Sequence, residues 1–229
     1  REVLSTAMRV HQKYFSITDK ENKIDSKFLF VANSIKEKGR DYRVIEGNER
    51  VLKARLSDAS YFFENDIANT FENWNEKLKH VLFYESLGSL HDKSIRMANI
   101  SKIFAKEFGV KSELAKQAAI LSKADLVSEM VMEFPELQGI MGGHYAKIKN
   151  EHEEVTKAIF EHYKPKGVSD DLPETKLGSL LSMVDKIDTL VGFFSIDKKP
   201  TGSKDPFALR RNSFSIVQIL INFKINLSL

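Results

Sequence analysis

The adjacent pair His91-Asp92 is the residue combination in this sequence with the most recognisable chemistry. In a helical domain, histidine and carboxylate ligands can hold a divalent cation that activates water, which is the chemistry of a metal-dependent phosphohydrolase. The surroundings argue against it. No second histidine lies one turn away, and His144, His152 and His162 fall on separate segments. Asp92 stands where a helix begins, and an acidic side chain there favours the helix dipole with no ligand needed. Lys93, Ser122-Lys123 and Asp188 are more informative. Lys93 takes a place in an apolar stripe between Leu90 and Met97, and Asp188 does the same between Val184 and Val191. Ser122-Lys123 follows the small apolar run Ala118-Ala-Ile-Leu121. Polar groups that face a core cost free energy unless they are paired. Either three helices share a polar site, or a buried Lys–Asp pair forms, or the lysine stems run out to water. Gly88 and Gly142-Gly143 lie outside any phosphate-loop or dinucleotide pattern, and no serine sits in a nucleophile elbow. Neither a catalytic residue nor a metal ligand is assigned.

These side chains have to be positioned by helices. Leu90, Lys93, Met97, Ile100, Phe104 and Phe108 form a stripe at helical spacing that ends at Gly109. Ser112 is expected to cap a helix through Leu121, with Val127–Phe134 continuing it to Pro135. Further helices are expected at Asn73–Val81, Glu136–Ile148 and Glu153–Tyr163, around the stripe Leu177–Val191, and over Ala208–Asn226. Earlier in the chain the period differs. Leu4, Thr6, Met8, Val10 and Tyr14 alternate with polar residues, which predicts a half-buried strand. Asp19–Lys23 reads as a turn, Phe28–Val31 as the return strand, Lys36–Asp41 as a charged loop and Tyr42–Ile45 as a third strand. From Asn48, a helix cap, the spacing of Leu52, Leu56, Ala59 and Phe63 is helical. A boundary near Gly47 then separates residues 1–47, the remnant of an α+β domain with a β-hairpin, from an all-α region over residues 48–229. The fold class is mainly α.

Composition narrows the function. The 229 residues include 42% hydrophobic and 29% charged residues, enough for a folded core. Cysteine is absent, which excludes a disulfide scaffold, a thiol nucleophile and any cysteine-ligated zinc site, and fits a reducing cytoplasm. The net charge of +3 permits nucleic-acid binding without arguing for it. No apolar run is long enough to span a membrane. The chain opens on Arg1 with no signal-peptide pattern and reads as a piece of a longer polypeptide.

Long strings carry a resemblance. NERVLKARLSDASYFFEND (Asn48–Asp66), SKADLVSEMVMEFPELQGIMGGHYA (Ser122–Ala146), DKIDTLVGFF (Asp185–Phe194) and PTGSKDPFALRR (Pro200–Arg211) resemble the β subunit of bacterial glycyl-tRNA synthetase. The N-terminal REVLSTAMRVHQKYF is similar too, so the likeness covers nearly the whole chain. It implies the middle of a longer β subunit in an α2β2 enzyme that joins glycine to tRNA(Gly) with ATP. ATP and Mg would be held by the α subunit, with no cofactor here, and β would contribute tRNA recognition. The resemblance also implies a helical domain similar to the HD phosphohydrolase superfamily, whose last helix leads toward an anticodon-binding region. On that pattern Lys93, in KSIRMA, takes the place of the first ligand histidine. Ser122-Lys123, after AAIL, replaces the His-Asp doublet, and Asp185, in DKIDTL, matches the last aspartate. Three of four ligand positions are lost, and two ammonium groups repel a cation. A place for an anion or an internal Lys–Asp pair is expected, and His91-Asp92 lies off the pattern.

Basic residues are the candidates for RNA contact, since affinity rests on phosphate neutralisation. They are Arg50, Lys53 and Arg55 on the first long helix, and Lys204, Arg210 and Arg211 where a Pro-Gly loop enters the last helix. That loop is expected to favour an anionic partner, or else Arg210 and Arg211 pair with the Asp185–Asp188 helix. Two other readings remain: a metal-dependent HD phosphohydrolase, and a module that only bridges the α subunit to the rest of β.

Overall fold

The computed structural model describes residues 2–32, 40–167 and 169–227. It divides into two compact units, one of Arg1–Ala68 with Glu129–Leu137, the other of Asn69–Ser128 with Gln138–Leu229. Helices dominate, so the mainly α class holds.

The first unit begins with α1 (Glu2–Thr6) and a π-helical turn (Ala7–His11), where a strand is expected from the alternation. Glu2, Leu4, Ala7, Met8 and Arg9 are good helix formers, and short apolar alternation does not outweigh that. A hairpin follows, β1 (Phe15–Thr18) antiparallel to β2 (Ile24–Leu29), with Phe15 opposite Leu29. Its turn is the expected Asp19–Lys23, held by the Asp19 carboxylate, which accepts the N–H groups of Glu21 and Lys23 at 2.9 and 2.8 Å. The loop expected over Lys36–Asp41 lies, up to Gly39, outside the described residues.

The helix α2 (Arg40–Ala68) is continuous. Tyr42–Ile45, expected as a strand, is therefore helical, and Asn48 is interior rather than a cap. Asn48 donates its amide to the Val44 carbonyl at 2.7 Å and accepts the Tyr14 hydroxyl at 2.6 Å. Gly47 also lies inside this helix, while the division into compact units falls at Ala68–Asn69. Met8, Tyr14 and Leu52 make the core of the unit, with Phe28, Phe30 and Leu56 packed against them. The short α6 (Glu129–Glu133) belongs here as well. It starts on the Asp66 carboxylate, which accepts from the N–H groups of Glu129 and Met130 at 2.9 and 3.0 Å.

The second unit holds α3 (Phe71–Leu78), the small ribbon β3 (Leu82–Tyr84) and β4 (Gly88–Ser89), and α4 (Leu90–Phe104). It continues with α5 (Ser112–Leu121), α7 (Ile140–Ile148), α8 (Glu153–Glu161), α9 (Lys176–Ser195) and α10 (Leu209–Asn222). The cap position of α5 is Lys111, without a side-chain bond, so Ser112 is its first residue rather than its cap. Val127–Phe134 does not continue α5. A 3-10 turn (Ala124–Val127) breaks it, and α6 starts anew. The single tryptophan, Trp74, is fully buried among Phe71 and Tyr145, with ring centroids 5.5 and 5.0 Å away. Met97, Phe108, Leu180, Leu181 and Val184 are also buried at the helix contacts.

Candidate functional site

The helix α4 presents Lys93 and Arg96 three residues apart, hence on one face; α9 presents Asp188 and Thr189 three and four residues after Asp185, likewise on one face. Lys123 stands just past the end of α5, after Ser122. These segments meet. The Lys93 ammonium lies 2.9 Å from Asp185 Oδ1, 3.0 Å from Asp188 Oδ2 and 2.9 Å from Thr189 Oγ1. Lys123 Nζ lies 2.7 Å from Asp185 Oδ2. Arg96 closes the other end, with Nε 2.6 Å from Asp188 Oδ1 and Nη2 3.2 Å from Oδ2. The result is a chain of alternating charge, Arg96–Asp188–Lys93–Asp185–Lys123. Lys93 and Lys123 are each 3% exposed.

Aromatic rings cover both ammonium groups. Lys93 stands 4.6 Å from the Phe83 ring centre and Lys123 4.0 Å from that of Tyr163. Burial by itself would raise the Asp185 carboxyl, but Lys123 and Lys93 outweigh it and hold the group well below the usual range. Burial pushes the Tyr163 hydroxyl well up, with Asp125 and Asp185 adding to it. His162 is driven well below its ordinary value, by burial first and by Lys123 next. Its Nδ1 meets the Ile159 carbonyl at 2.7 Å.

The arrangement does not suit a divalent cation. All four oxygens of Asp185 and Asp188 already accept from a cationic group. Among the described residues, no three His, Cys, Asp or Glu side chains cluster as a metal site. Ser122 stays out of the network and donates to the Ala119 carbonyl at 2.9 Å. Asp92 is committed to the start of α4. Its carboxylate accepts the Ser89 N–H at 2.8 Å while Ser89 Oγ accepts the Asp92 N–H at 3.1 Å, a capping box.

The basic candidates divide between the two units, those on α2 in the first and those around the start of α10 in the second. On α2, Arg50 pairs with Glu46 at 3.6 Å, Arg55 with Glu133 at 2.8 Å, and Lys53 is exposed. Lys204 is exposed, and Arg210 Nη2 donates to the Thr201 carbonyl at 2.6 Å. The first N–H groups of α10 do not wait for an external anion. Asp205 accepts from Leu209 N at 2.8 Å and from Arg210 N at 3.0 Å. Among the described residues neither Arg210 nor Arg211 makes an ion pair with α9; Arg96 does so instead. Arg96, Thr189, Phe83 and Tyr163 were not anticipated from the sequence. Arg96 and Thr189 could have been found from their spacing to Lys93 and Asp185. Phe83 and Tyr163 arrive from separate elements, and no local pattern marks them.

With this geometry in view, comparison with known proteins is informative. The family profile described as "Glycyl-tRNA synthetase beta subunit" matches residues 1–229. The chain belongs to that family. It is 45% identical over 228 residues to the glycine–tRNA ligase β subunit of Marinobacter nauticus, covering 100% of this chain and 33% of that protein. It is 46% identical over 228 residues to the one from Coxiella burnetii, with the same coverage of 100% and 33%. It is 44% identical over 229 residues to the one from Pseudomonas savastanoi, again with 100% and 33% covered. The chain thus spans about a third of the length of these relatives.

Proposed function

We propose that this chain is the middle part of the β subunit of a tetrameric glycine–tRNA ligase, where it contributes tRNA recognition and subunit assembly. The match of the family profile along the full chain carries this reading. In it, the α subunit handles glycine, ATP and Mg, and this chain supplies no catalytic group. The filled lysine–aspartate network supports that division: on the resemblance to the HD superfamily, it fills with paired charges the place where a cation would be expected. This observation disfavours the phosphohydrolase alternative. A purely bridging module remains distinct from the tRNA-binding reading by one measurement. The assembly works in the cytoplasm, and no helix among the described residues is long and apolar enough to cross a membrane.

The test uses the intact β subunit with its α partner. Lys53 and Lys204 are exposed and have no ion-pair partner among the described residues, so Lys53→Glu and Lys204→Glu disturb the fold least. Where either lysine meets a tRNA phosphate, KM for tRNA rises and the salt dependence of binding falls by about one phosphate contact. Glycine-dependent ATP–pyrophosphate exchange stays unchanged, and β without α shows none. Unaltered tRNA binding in both variants, alone and combined with Arg210→Glu, favours the bridging module. Exchange activity in β alone contradicts the proposal.

A further inference from the structure

Beside the lysine–aspartate network lies a cleft of about 420 Å³ whose lining includes Asp185, Lys186, Lys166, Arg211, Gln138 and Asn212. Lys186 is the unusual member. Its side chain is only 7% exposed, and its ammonium has neutral acceptors alone, the Ser182 hydroxyl at 2.7 Å and the Lys164 carbonyl at 3.2 Å. Among the described residues no carboxylate lies within ion-pair distance of Lys186, Lys166 or Arg211. Asp185, the acidic group of the lining, gives both oxygens to Lys93 and Lys123. Counted with the half-exposed Arg96, the charges around the cleft do not balance. Lys93, Lys123, Lys186 and Arg96 stand against Asp185, Asp188 and Asp125, and the exposed Arg211 and Lys166 add two more cations at the mouth.

A buried cation without a counter-charge is unfavourable, and an anion in the adjoining cleft would remove the imbalance. We infer that this cleft binds a phosphate group, with Lys186 at its floor, Arg211 and Lys166 at its mouth, and the Gln138 and Asn212 amides as neutral donors. Guanidinium and ammonium groups together suit a tetrahedral oxyanion, and the volume admits a phosphate with part of the molecule that carries it. The state of Lys186 agrees. Burial, against the opposing pull of Asp185, lowers it to about 8, so its charge is held at a cost that a bound anion would relieve. The phosphate belongs either to a small phosphomonoester or to an RNA backbone. The site follows from the charge imbalance and stands independently of the tRNA-recognition reading.

Competitive acetylation of the intact β subunit, read by mass spectrometry at Lys186, tests this. The probes are inorganic phosphate, potassium chloride at matched ionic strength, and a tRNA transcript. A lysine with a lowered pKa labels readily at neutral pH, and occupation of the cleft slows it. The expected result is a fall of about tenfold in labelling at roughly ten times the dissociation constant of phosphate, with no fall in chloride and none at the exposed Lys27. Arg211→Ala, a change at an exposed side chain, abolishes most of that protection. Protection by inorganic phosphate identifies a small phosphate ligand; protection by tRNA alone identifies a backbone phosphate. Equal labelling with and without both probes overturns the inference. So does protection that chloride reproduces, or that Arg211→Ala leaves intact. Lys186→Met supplies a second readout. Phosphate raises the thermal midpoint of the wild-type protein and leaves that of the variant unchanged; an equal rise in both also overturns it.

Discussion

Each carboxylate of the buried network has a second cation, and this decides what a single substitution does. Removing the Lys93 ammonium by Lys93→Met leaves Asp185 with Lys123 and Asp188 with Arg96, so no carboxylate is stranded. The expected loss is about 1–2 kcal/mol, in the range of an ordinary core change. Asp185→Asn acts differently. It leaves Lys123 buried against the Tyr163 ring with no anion, and the expected loss is roughly 3–5 kcal/mol. Urea unfolding of the two variants checks the order; equal losses would mean that Asp185 is not the hub. Much of this network was readable from the chain alone, because Lys93 and Asp188 interrupt apolar stripes of known period. Lys186 was not readable. It stands between Asp185 and Ile187, off the apolar stripe of its helix, and only the packed helix reveals that it is covered.

At the scale of elements, the ends of the helices matter as much as their faces. Ser89→Ala removes one half of the α4 capping box and is expected to cost about 1 kcal/mol. Gly139 is more demanding. It precedes α7 at φ +79°, and a Cβ there would stand 2.8 Å from the Tyr163 ring. Gly139→Ala therefore combines backbone strain with a clash beside Lys123, and thermal unfolding should show a larger loss than Ser89→Ala. The helical stripes of the second unit were legible because burial selects one face over several turns. The N-terminal segment was not. A few alternating apolar residues fit a strand or a short helix equally, and the packing of Met8 and Tyr14 against Leu52 selects the helix. Tyr42–Ile45 differs from its local pattern for a related reason. Its β-branched and aromatic residues favour a strand locally, but they extend a helix whose core contacts lie further along.

For the molecule as a whole, two buried aspartates set opposite pH trends. Asp185 has a lowered pKa, so its contribution is present above the unfolded carboxyl value and is lost as pH falls through the lower folded one. Asp125 is raised to about 6 by burial, against the pull of the Gly139 and Gly142 N–H groups and of Lys123. Its contribution is complete below the unfolded value and is lost as pH rises through about 6, at a cost of about 3 kcal/mol. Asp125→Asn keeps an oxygen for both N–H donors, which converge on Oδ2 at 2.6 and 2.9 Å. The variant should match the wild type near pH 4 and gain on it steadily toward pH 7. Urea midpoints measured across that range check it, and a constant difference would contradict it. Trp74, walled in by Phe71 and Tyr145, has one further consequence. As the chain's single indole, it makes the emission colour of this polypeptide a private gauge of the second unit. A blue-shifted signal that survives while the β1–β2 hairpin melts would show the two units losing structure in separate steps.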